Sequence, residues 1–234
     1  LWLDHGHVLD IGPADEVVAA YQKAMQDQDT RLDGQISTPT EQEAQTSSEH
    51  LLYDVPKTHP AYPYLIAAIN AGYEITYDGG YFAPEDILSR AQLAIFALRC
   101  KWGPKYEPRP ASGEIYTDIP RDQWLSSYVE ENYHFRLTTA PKGGKFWPEM
   151  GATRASAVYS IMKAVEPSES STPNCKGVFP DVPSNYWAAP YIEKAVENGF
   201  ITALDVKNNL FYPEEPISRA DTVTMMVKAL RIPI

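Results

Sequence analysis

The 234-residue chain has few cysteines and little positive charge, and both scarcities limit what it can be. Cys100 and Cys175 lie far apart, with no Cys or His at metal-ligand spacing. They therefore indicate neither a zinc site nor a disulfide framework, and whether they pair stays open. Twenty Lys and Arg residues against 31 Asp and Glu give a net charge of −11, which argues against nucleic-acid binding. Any anionic ligand has to be bound by a local group of cations.

Long hydrophobic runs are also missing. The longest, near residues 91–98, is well short of the ~20 residues that a membrane-spanning helix needs, and no signal peptide opens the chain. These features predict a soluble chain. Because the first residue is Leu1 rather than Met, we expect a segment of a longer protein.

The first fifty residues divide into two parts. Residues 1–25 predict two short strands, at 1–3 and near 8–11, and then an amphipathic helix that begins at Gly12. Residues 26–50 are rich in Gln, Asp, Glu, Ser and Thr, with almost no large apolar residue. Such a stretch cannot offset the entropy of ordering, so we predict a disordered linker.

The rest of the chain repeats three times. Each copy opens with an Asp that has an aromatic residue one or two positions before it and an aliphatic residue directly after it. These aspartates follow one another at steps of 64 and 63 residues: Asp54, Asp118 and Asp181. An aromatic residue followed by Pro comes later in each copy, before an apolar helix that begins with a hydroxyl residue, Arg and Ala. The hydroxyl residues are Ser89, Thr153 and Ser218, and the arginines are Arg90, Arg154 and Arg219. Near-constant steps at several landmarks indicate three copies of one helix-loop-helix unit.

These repeats predict an all-α fold. One copy alone leaves an apolar face uncovered, so we expect the three to pack with approximate threefold symmetry around a central helical bundle. The predicted boundaries are 51–106, 107–172 and 173–234, hereafter the first, second and third repeats.

The landmarks resemble the S-layer homology repeat over about residues 51–234. The third repeat is the best match, with "FPDVPSNYWAAPYIEKAVENGFI" and "FYPEEPISRAD", whereas the second has "ENYHFRL" where a Gly-aromatic turn is expected. The resemblance implies a pseudo-trimer whose inter-repeat grooves bind secondary cell-wall polysaccharide, typically through a sugar with a pyruvate ketal. It also implies that the motif arginine contacts the ketal carboxylate.

A second resemblance concerns "LWLDHGHVLDIGPADEVVAAYQKAM" at the amino end. This string is similar to the end of the ATP-binding subunit of polysaccharide-exporting ABC transporters. The chain itself has no phosphate-binding loop, because "KGGK" at 142–145 lacks the required spacing. The resemblance therefore implies ATP only in a missing upstream domain, and the chain is expected to need no cofactor of its own.

The motif arginines suggest an anion site. Ser89, Thr153 and Ser218 stand at helix N-cap positions, with Gln92 completing a capping box in the first repeat. Each arginine then falls on the first helical residue, where the helix dipole disfavours a cation by roughly 0.3 to 1 kcal/mol. Free N–H groups beside a guanidinium would form a carboxylate-binding corner. The alternative is an internal ion pair between each arginine and Asp54, Asp118 or Asp181.

Other repeated side chains extend this hypothesis. A second base follows each motif arginine by nine residues: Arg99, Lys163 and Lys228. Nine residues are two and a half helical turns, so this base can serve the neighbouring groove, or it can merely complement the helix dipole. Trp124 and Trp187 occupy matching positions, with Pro60 or Ala61 near that place in the first repeat. They can stack on sugar rings or belong to the core.

Three functions compete at this point. The first is a non-catalytic carbohydrate-binding module that selects an anionic polysaccharide for export. It would act at the cytoplasmic face of the inner membrane, with the exporter's membrane subunit as a further partner. The alternative is a cell-surface anchor that attaches a protein to secondary cell-wall polymer. An enzyme is the third, although no local motif indicates nucleophilic catalysis and the five scattered His residues indicate no metal site. Because the second repeat departs from the pattern, we expect one or two working grooves.

Overall fold

A computed structural model of the chain describes residues 2–4, 7–10, 52–113, 115–139, 144–166, 177–201 and 208–234. Two antiparallel strands, β1 (Trp2–Asp4) and β2 (His7–Asp10), lie one residue away from the predicted stretches. The predicted first helix and the predicted linker lie outside the described residues. The strands and the helices belong to separate compact units, and the helical unit comprises Leu52–Tyr77 and Tyr81–Ile234.

Helices dominate the described part of this unit. They are α1 (Tyr62–Asn70), α2 (Arg90–Trp102), α3 (Trp124–His134), α4 (Arg154–Val165), α5 (Ala189–Glu197) and α6 (Arg219–Ala229). A 3-10 turn, Asp78–Gly80, falls outside the helical unit. Each predicted repeat thus contributes two helices, and the all-α class is confirmed.

The second helix of each repeat begins where its hydroxyl residue predicts. Ser89 Oγ accepts a hydrogen bond from the Gln92 backbone N–H at 3.2 Å, and Gln92 Oε1 accepts one from the Ser89 N–H at 3.0 Å. Thr153 and Ser218 also accept the N–H of the third helical residue, at 3.2 and 3.0 Å. These caps contribute about 1 kcal/mol each and set where α2, α4 and α6 begin.

The repeats pack on one another in a regular order. The first helix of each repeat lies on the second helix of the preceding one: α3 on α2, α5 on α4, and α1 on α6. The second helix α4 also packs against α2 and α6. Contacts therefore connect the last repeat with the first, while the approximate threefold symmetry stays a prediction.

A closed set of backbone hydrogen bonds joins the segments just before the second helices. The Leu88 N–H donates to the Ile217 carbonyl at 2.9 Å, Ile217 donates to Ala152 at 3.0 Å, and Ala152 donates to Leu88 at 2.8 Å. Each of these residues comes two positions before a motif arginine, and all three are buried. These bonds join the three repeats at the buried segments that precede their second helices.

The turn that follows each first helix is present in all three repeats. Gly72 and Gly199 adopt left-handed backbone conformations after α1 and α5, with φ of 87° and 75°. After α3 the same place is taken by Arg136, with φ of 52°, and the Leu137 N–H still closes the turn on the Asn132 carbonyl at 2.9 Å. The second repeat therefore lacks the glycine, as its sequence indicates, but keeps the turn.

Arg136→Gly is expected to stabilise the protein. A left-handed conformation costs a residue with a Cβ roughly 1 to 2 kcal/mol, while glycine costs about 0.5 to 1 kcal/mol in backbone entropy. The free energy of unfolding should rise by about 0.5 to 1 kcal/mol, measured by urea denaturation. Arg136→Ala is the control, because alanine also has a Cβ and should bring no gain. An equal gain from both variants would assign the effect to the exposed arginine side chain.

Candidate functional site

The opening aspartate of each repeat binds the aromatic loop of the same repeat. Asp54 accepts hydrogen bonds from the N–H groups of Phe82 and Ala83 at 2.9 and 2.6 Å. Asp118 and Asp181 make the corresponding pairs of bonds, at 2.7 and 2.7 Å and at 2.9 and 2.6 Å. Both oxygens of each carboxylate are therefore engaged in holding the loop.

These carboxylates also support an unusual backbone conformation. The second residue of each pair has a positive φ: Ala83 (55°), Trp147 (59°) and Tyr212 (56°). Such conformations cost a non-glycine residue of order 1 to 3 kcal/mol, which two charge-assisted hydrogen bonds can offset. A ligand-binding role for Asp54, Asp118 and Asp181 stays a prediction, while their structural role is visible.

Each motif arginine binds the same aromatic residue from the neighbouring repeat. The arginine Nε donates to that residue's carbonyl oxygen at 2.8 Å in all three cases: Arg90 to Phe146, Arg154 to Phe211, and Arg219 to Phe82. The guanidinium carbon also lies 4.9 to 5.1 Å from the aromatic ring centroid. Aspartate and arginine thus hold the same aromatic residue from two different repeats, which links the repeats through its backbone.

Arg219 is the most enclosed of these arginines. Its side chain is buried, with the residue only 3% exposed, and its Nη2 donates to the Ile75 carbonyl at 2.7 Å. Burial lowers the pKa of the Arg219 guanidinium from its usual value, while nearby Tyr77, Asp86 and Asp54 act to raise it. Burial likewise lowers the pKa of Arg90. The hydrogen bonds of these two arginines therefore lie in a desolvated environment, where the loss of a partner is costly.

The N–H groups expected to be free at the helix starts are occupied. The N–H groups of Arg90 and Ala91 donate to the carbonyls of Met150 and Pro148 at 2.8 and 3.0 Å, and Ser89 caps the next N–H. The same arrangement recurs at α4 and α6. The predicted carboxylate corner made of free N–H groups is therefore wrong, since neighbouring loops already satisfy these donors. Ser89, Thr153 and Ser218 act as caps, and a ligand contact by them stays a prediction.

A cleft of about 230 Å³ lies where the three repeats meet. We call it the first groove. The first repeat lines it with the 74–77 loop and one face of α2, the second repeat with α3, and the third with Arg219. Its charged, polar and large aromatic lining residues include Glu74, Tyr77, Gln92, Arg99, Trp124 and Arg219.

The first groove brings together three of the predicted residues. Arg219, Arg99 and Trp124 come from different repeats and line the same cleft. Trp124 is 67% exposed, which excludes the core alternative for this side chain. Arg99 is largely buried, and its Nη2 lies 3.3 Å from Glu74 Oε2. Its Nε is buried without a hydrogen-bond partner among the described residues.

Sequence reasoning missed three polar residues of this groove. Gln92 Nε2 donates to Tyr77 Oη at 3.0 Å, and the Arg219 guanidinium lies 4.2 Å from the Tyr77 ring centroid. Glu74 pairs with Arg99. No repeat-wide signal identifies Glu74 and Tyr77, because the loops that follow the first helices differ in length and sequence.

The recurring Asp, aromatic and Arg contacts can now be compared with known proteins. Two segments match the S-layer homology domain. They are residues 52–94 and 178–223, which lie in the first and third repeats. The second repeat makes the same contacts, because Asp118 and Arg90 both bind the backbone of Phe146.

Relatives of the chain have names that refer to anchoring or to the S-layer. A stretch covering 66% of the chain is 25% identical to "Cellulosome-anchoring protein" of Acetivibrio thermocellus, over 34% of that protein. Another, 53% of the chain, is 29% identical to "S-layer protein EA1" of Bacillus anthracis, over 14% of it. A third, 36% of the chain, is 39% identical to "S-layer protein" of Bacillus thuringiensis subsp. finitimus, over 9% of it. The chain thus spans about a third or less of these relatives.

The positions that correspond to the first groove differ around Arg154, and we call this region the third groove. Arg154 Nη1 lies 3.9 Å from Asp221 Oδ2, and Asp221 stands where α2 has the neutral Gln92. Lys228 lies 5.6 Å from the Tyr64 ring centroid, and Pro60 replaces the tryptophan. An acid near the arginine and the loss of the aromatic side chain make this groove a poorer match to an anionic sugar.

By the repeat register, Arg90, Lys163 and Trp187 occupy the positions that correspond to the first groove, and we call this region the second groove. Arg90 Nη2 donates to the Thr139 carbonyl at 3.2 Å, and Lys163 is half-buried in the last turn of α4. Trp187 is 46% exposed but contacts Tyr159 across the groove, at 5.7 Å between ring centroids. Arg99, Lys163 and Lys228 all lie in the last turn of their helices, so the helix-dipole alternative also remains compatible with their positions.

Neither a membrane-spanning helix nor a metal site is present within the residues that the structure describes. No helix there combines the length and the apolarity needed to cross a membrane. Nor does this part of the chain contain a group of three His, Cys, Asp or Glu side chains arranged to hold a metal ion.

Proposed function

We propose that this chain is a non-catalytic module that attaches its parent protein to an anionic cell-wall polysaccharide through the first groove. The observation that carries the proposal is the meeting of two cations and an exposed aromatic side chain, contributed by three repeats. An aromatic face binds a pyranose ring through apolar contact, and a guanidinium binds a carboxylate through charge-assisted hydrogen bonds.

The electrostatics of the groove support an anionic ligand. The chain as a whole has a net charge of −11, so attraction of an anion depends on local cations. Arg99 has a buried Nε donor without a partner among the described residues, and its Glu74 partner is 81% exposed. Because Glu74 is mostly exposed to water, a ligand carboxylate can replace it as the partner of Arg99.

The relatives favour anchoring over selection for export. Their printed names describe a cellulosome-anchoring protein and S-layer proteins. We therefore place the chain at the cell surface, bound to secondary cell-wall polymer. The resemblance of residues 1–25 to an exporter subunit has no support from these relatives. By the resemblance of the repeats, the anionic group is a pyruvate ketal.

The proposal is tested by calorimetric titration of the 234-residue chain. The probe is an N-acetylmannosamine glycoside with a pyruvate ketal, and the control is the same glycoside without the ketal. We expect one bound ketal glycoside per chain, weaker binding as salt is added, and no binding of the neutral sugar. Equal binding of both sugars would overturn the anionic part of the proposal, and binding of neither would overturn the whole.

Arg99→Gln tests the groove itself. Loss of a charge-assisted hydrogen bond should weaken ketal binding by roughly 10- to 100-fold, equivalent to about 1.5 to 3 kcal/mol. Lys101→Gln is the matched control, because Lys101 lies in the same last turn of α2 but does not line the groove. If both variants bind equally, Arg99 has only the helix-dipole role.

A further inference from the structure

The second groove differs from the first at one position on its second helix. Five residues after the motif arginine, the first repeat has Ile95, which lines the first groove. The second repeat has Tyr159 at this position, and the third has Thr224. The tyrosine side chain is much larger than that of Ile or Thr. The packing of α4 against α5 therefore depends on where the tyrosine ring lies.

The Tyr159 ring lies between α4 and α5. Its centroid is 4.8 Å from the Tyr191 ring and 5.7 Å from the Trp187 ring, with edge-to-face geometry in both contacts. Its hydroxyl donates to the Arg136 carbonyl at 2.9 Å, in the turn after α3. One side chain thus connects three elements across the space that corresponds to the first groove.

The other chemistry of the first groove is still present around this ring. Trp187 corresponds to Trp124, and Lys163 corresponds to Arg99. Arg90 corresponds to Arg219 and makes the same bonds to a neighbouring loop. The position that carries Asp221 in the third repeat is Ser156 here, so no acid stands there.

We propose that Tyr159 is a wedge that closes a second saccharide groove, leaving the wild-type chain with one site. This inference rests on the proposed function of the first groove, because it assigns the same class of ligand, an anionic pyranoside, to the second. Removing the ring exposes the face of Trp187 and the approach to Lys163 and Arg90.

The test measures the number of ketal glycosides bound per chain by calorimetry. Tyr159→Ile and Tyr159→Thr introduce the residues of the other two repeats, and we expect two sites in each. Tyr159→Phe is the matched control, because it keeps the ring and loses only the hydroxyl, and one site is expected. Thermal unfolding followed by circular dichroism verifies that each variant is folded.

A second background isolates the new site. Trp124→Ala is expected to weaken binding at the first groove by roughly 10- to 100-fold, and the titration is run at concentrations where such binding gives no signal. Adding Tyr159→Ile should restore one site per chain, and adding Trp187→Ala to that double variant should remove it again. Restoration that survives Trp187→Ala would overturn the assignment to the second groove.

The outcomes separate the two proposals. A wild-type chain that binds no ketal glycoside refutes the proposed function. One site in the wild type together with one site in the folded Ile and Thr variants refutes the wedge alone. Two sites in the wild type or in the Tyr159→Phe variant would also refute it, since the ring is present in both.

Discussion

Arg219→Ala is expected to lower the free energy of unfolding by about 3 to 5 kcal/mol. The substitution removes a buried cation that donates to the carbonyls of Phe82 and Ile75 at 2.8 and 2.7 Å. Both carbonyls would then be left unsatisfied in a desolvated place, and hydrogen bonds to a charged group contribute about 1.5 to 3 kcal/mol each. Urea denaturation measures the loss. The sequence alone left both a ligand contact and an internal ion pair open for this arginine.

Two further variants sharpen this test. Arg219→Lys keeps the charge but cannot reproduce two donors in a planar fork, so we expect an intermediate loss. Arg121→Ala replaces an exposed arginine and should change the free energy of unfolding by less than about 0.5 kcal/mol. A loss below about 1 kcal/mol for Arg219→Ala would mean that the contact between the third and first repeats contributes little to stability.

Trp124→Ala is expected to weaken binding of the ketal glycoside by roughly 10- to 100-fold. The exposed indole offers the apolar face in the first groove, and burying such a side chain against a ligand contributes about 1.5 to 3 kcal/mol. Because Trp124 is mostly exposed in the free protein, its loss should change stability little. Calorimetric titration measures the affinity, and urea denaturation measures the stability.

Trp187→Ala is the matched control for this prediction. Trp187 occupies the corresponding sequence position one repeat later, just before α5, where Tyr159 lies against it. In the wild-type background its removal should leave the affinity unchanged. Equal losses from both substitutions would show that the second groove also binds, which contradicts the asymmetry between the grooves.

Much of the local structure follows from the amino-acid sequence. The three-fold recurrence, the all-α class and the starts of α2, α4 and α6 were predicted, because capping by Ser89, Thr153 and Ser218 acts within three residues. The candidate groove residues Arg99, Arg219 and Trp124 were also named in advance. Repeat arithmetic identified them without any knowledge of which side chains meet.

The contacts of the motif arginines with neighbouring loops were decided by tertiary structure. Arg219 and Phe82 are 137 residues apart, and no local rule connects them. The same holds for the N–H groups at the helix starts, which loops of another repeat satisfy. A desolvated donor takes the acceptor that the packing of the repeats brings near. Sequence spacing alone therefore could not distinguish an arginine that joins two repeats from one that binds a ligand.

The sequence by itself determined the repeat, its helices and their caps, since these depend on interactions between residues close in the chain. Only the tertiary structure decided that Arg136 keeps the turn, that Asp221 lies near Arg154 and that Tyr159 lies between α4 and α5. These differences arise from single side chains meeting across repeats. Their contacts depend on packing between segments distant in sequence, and near-identical repeats can therefore form unequal grooves.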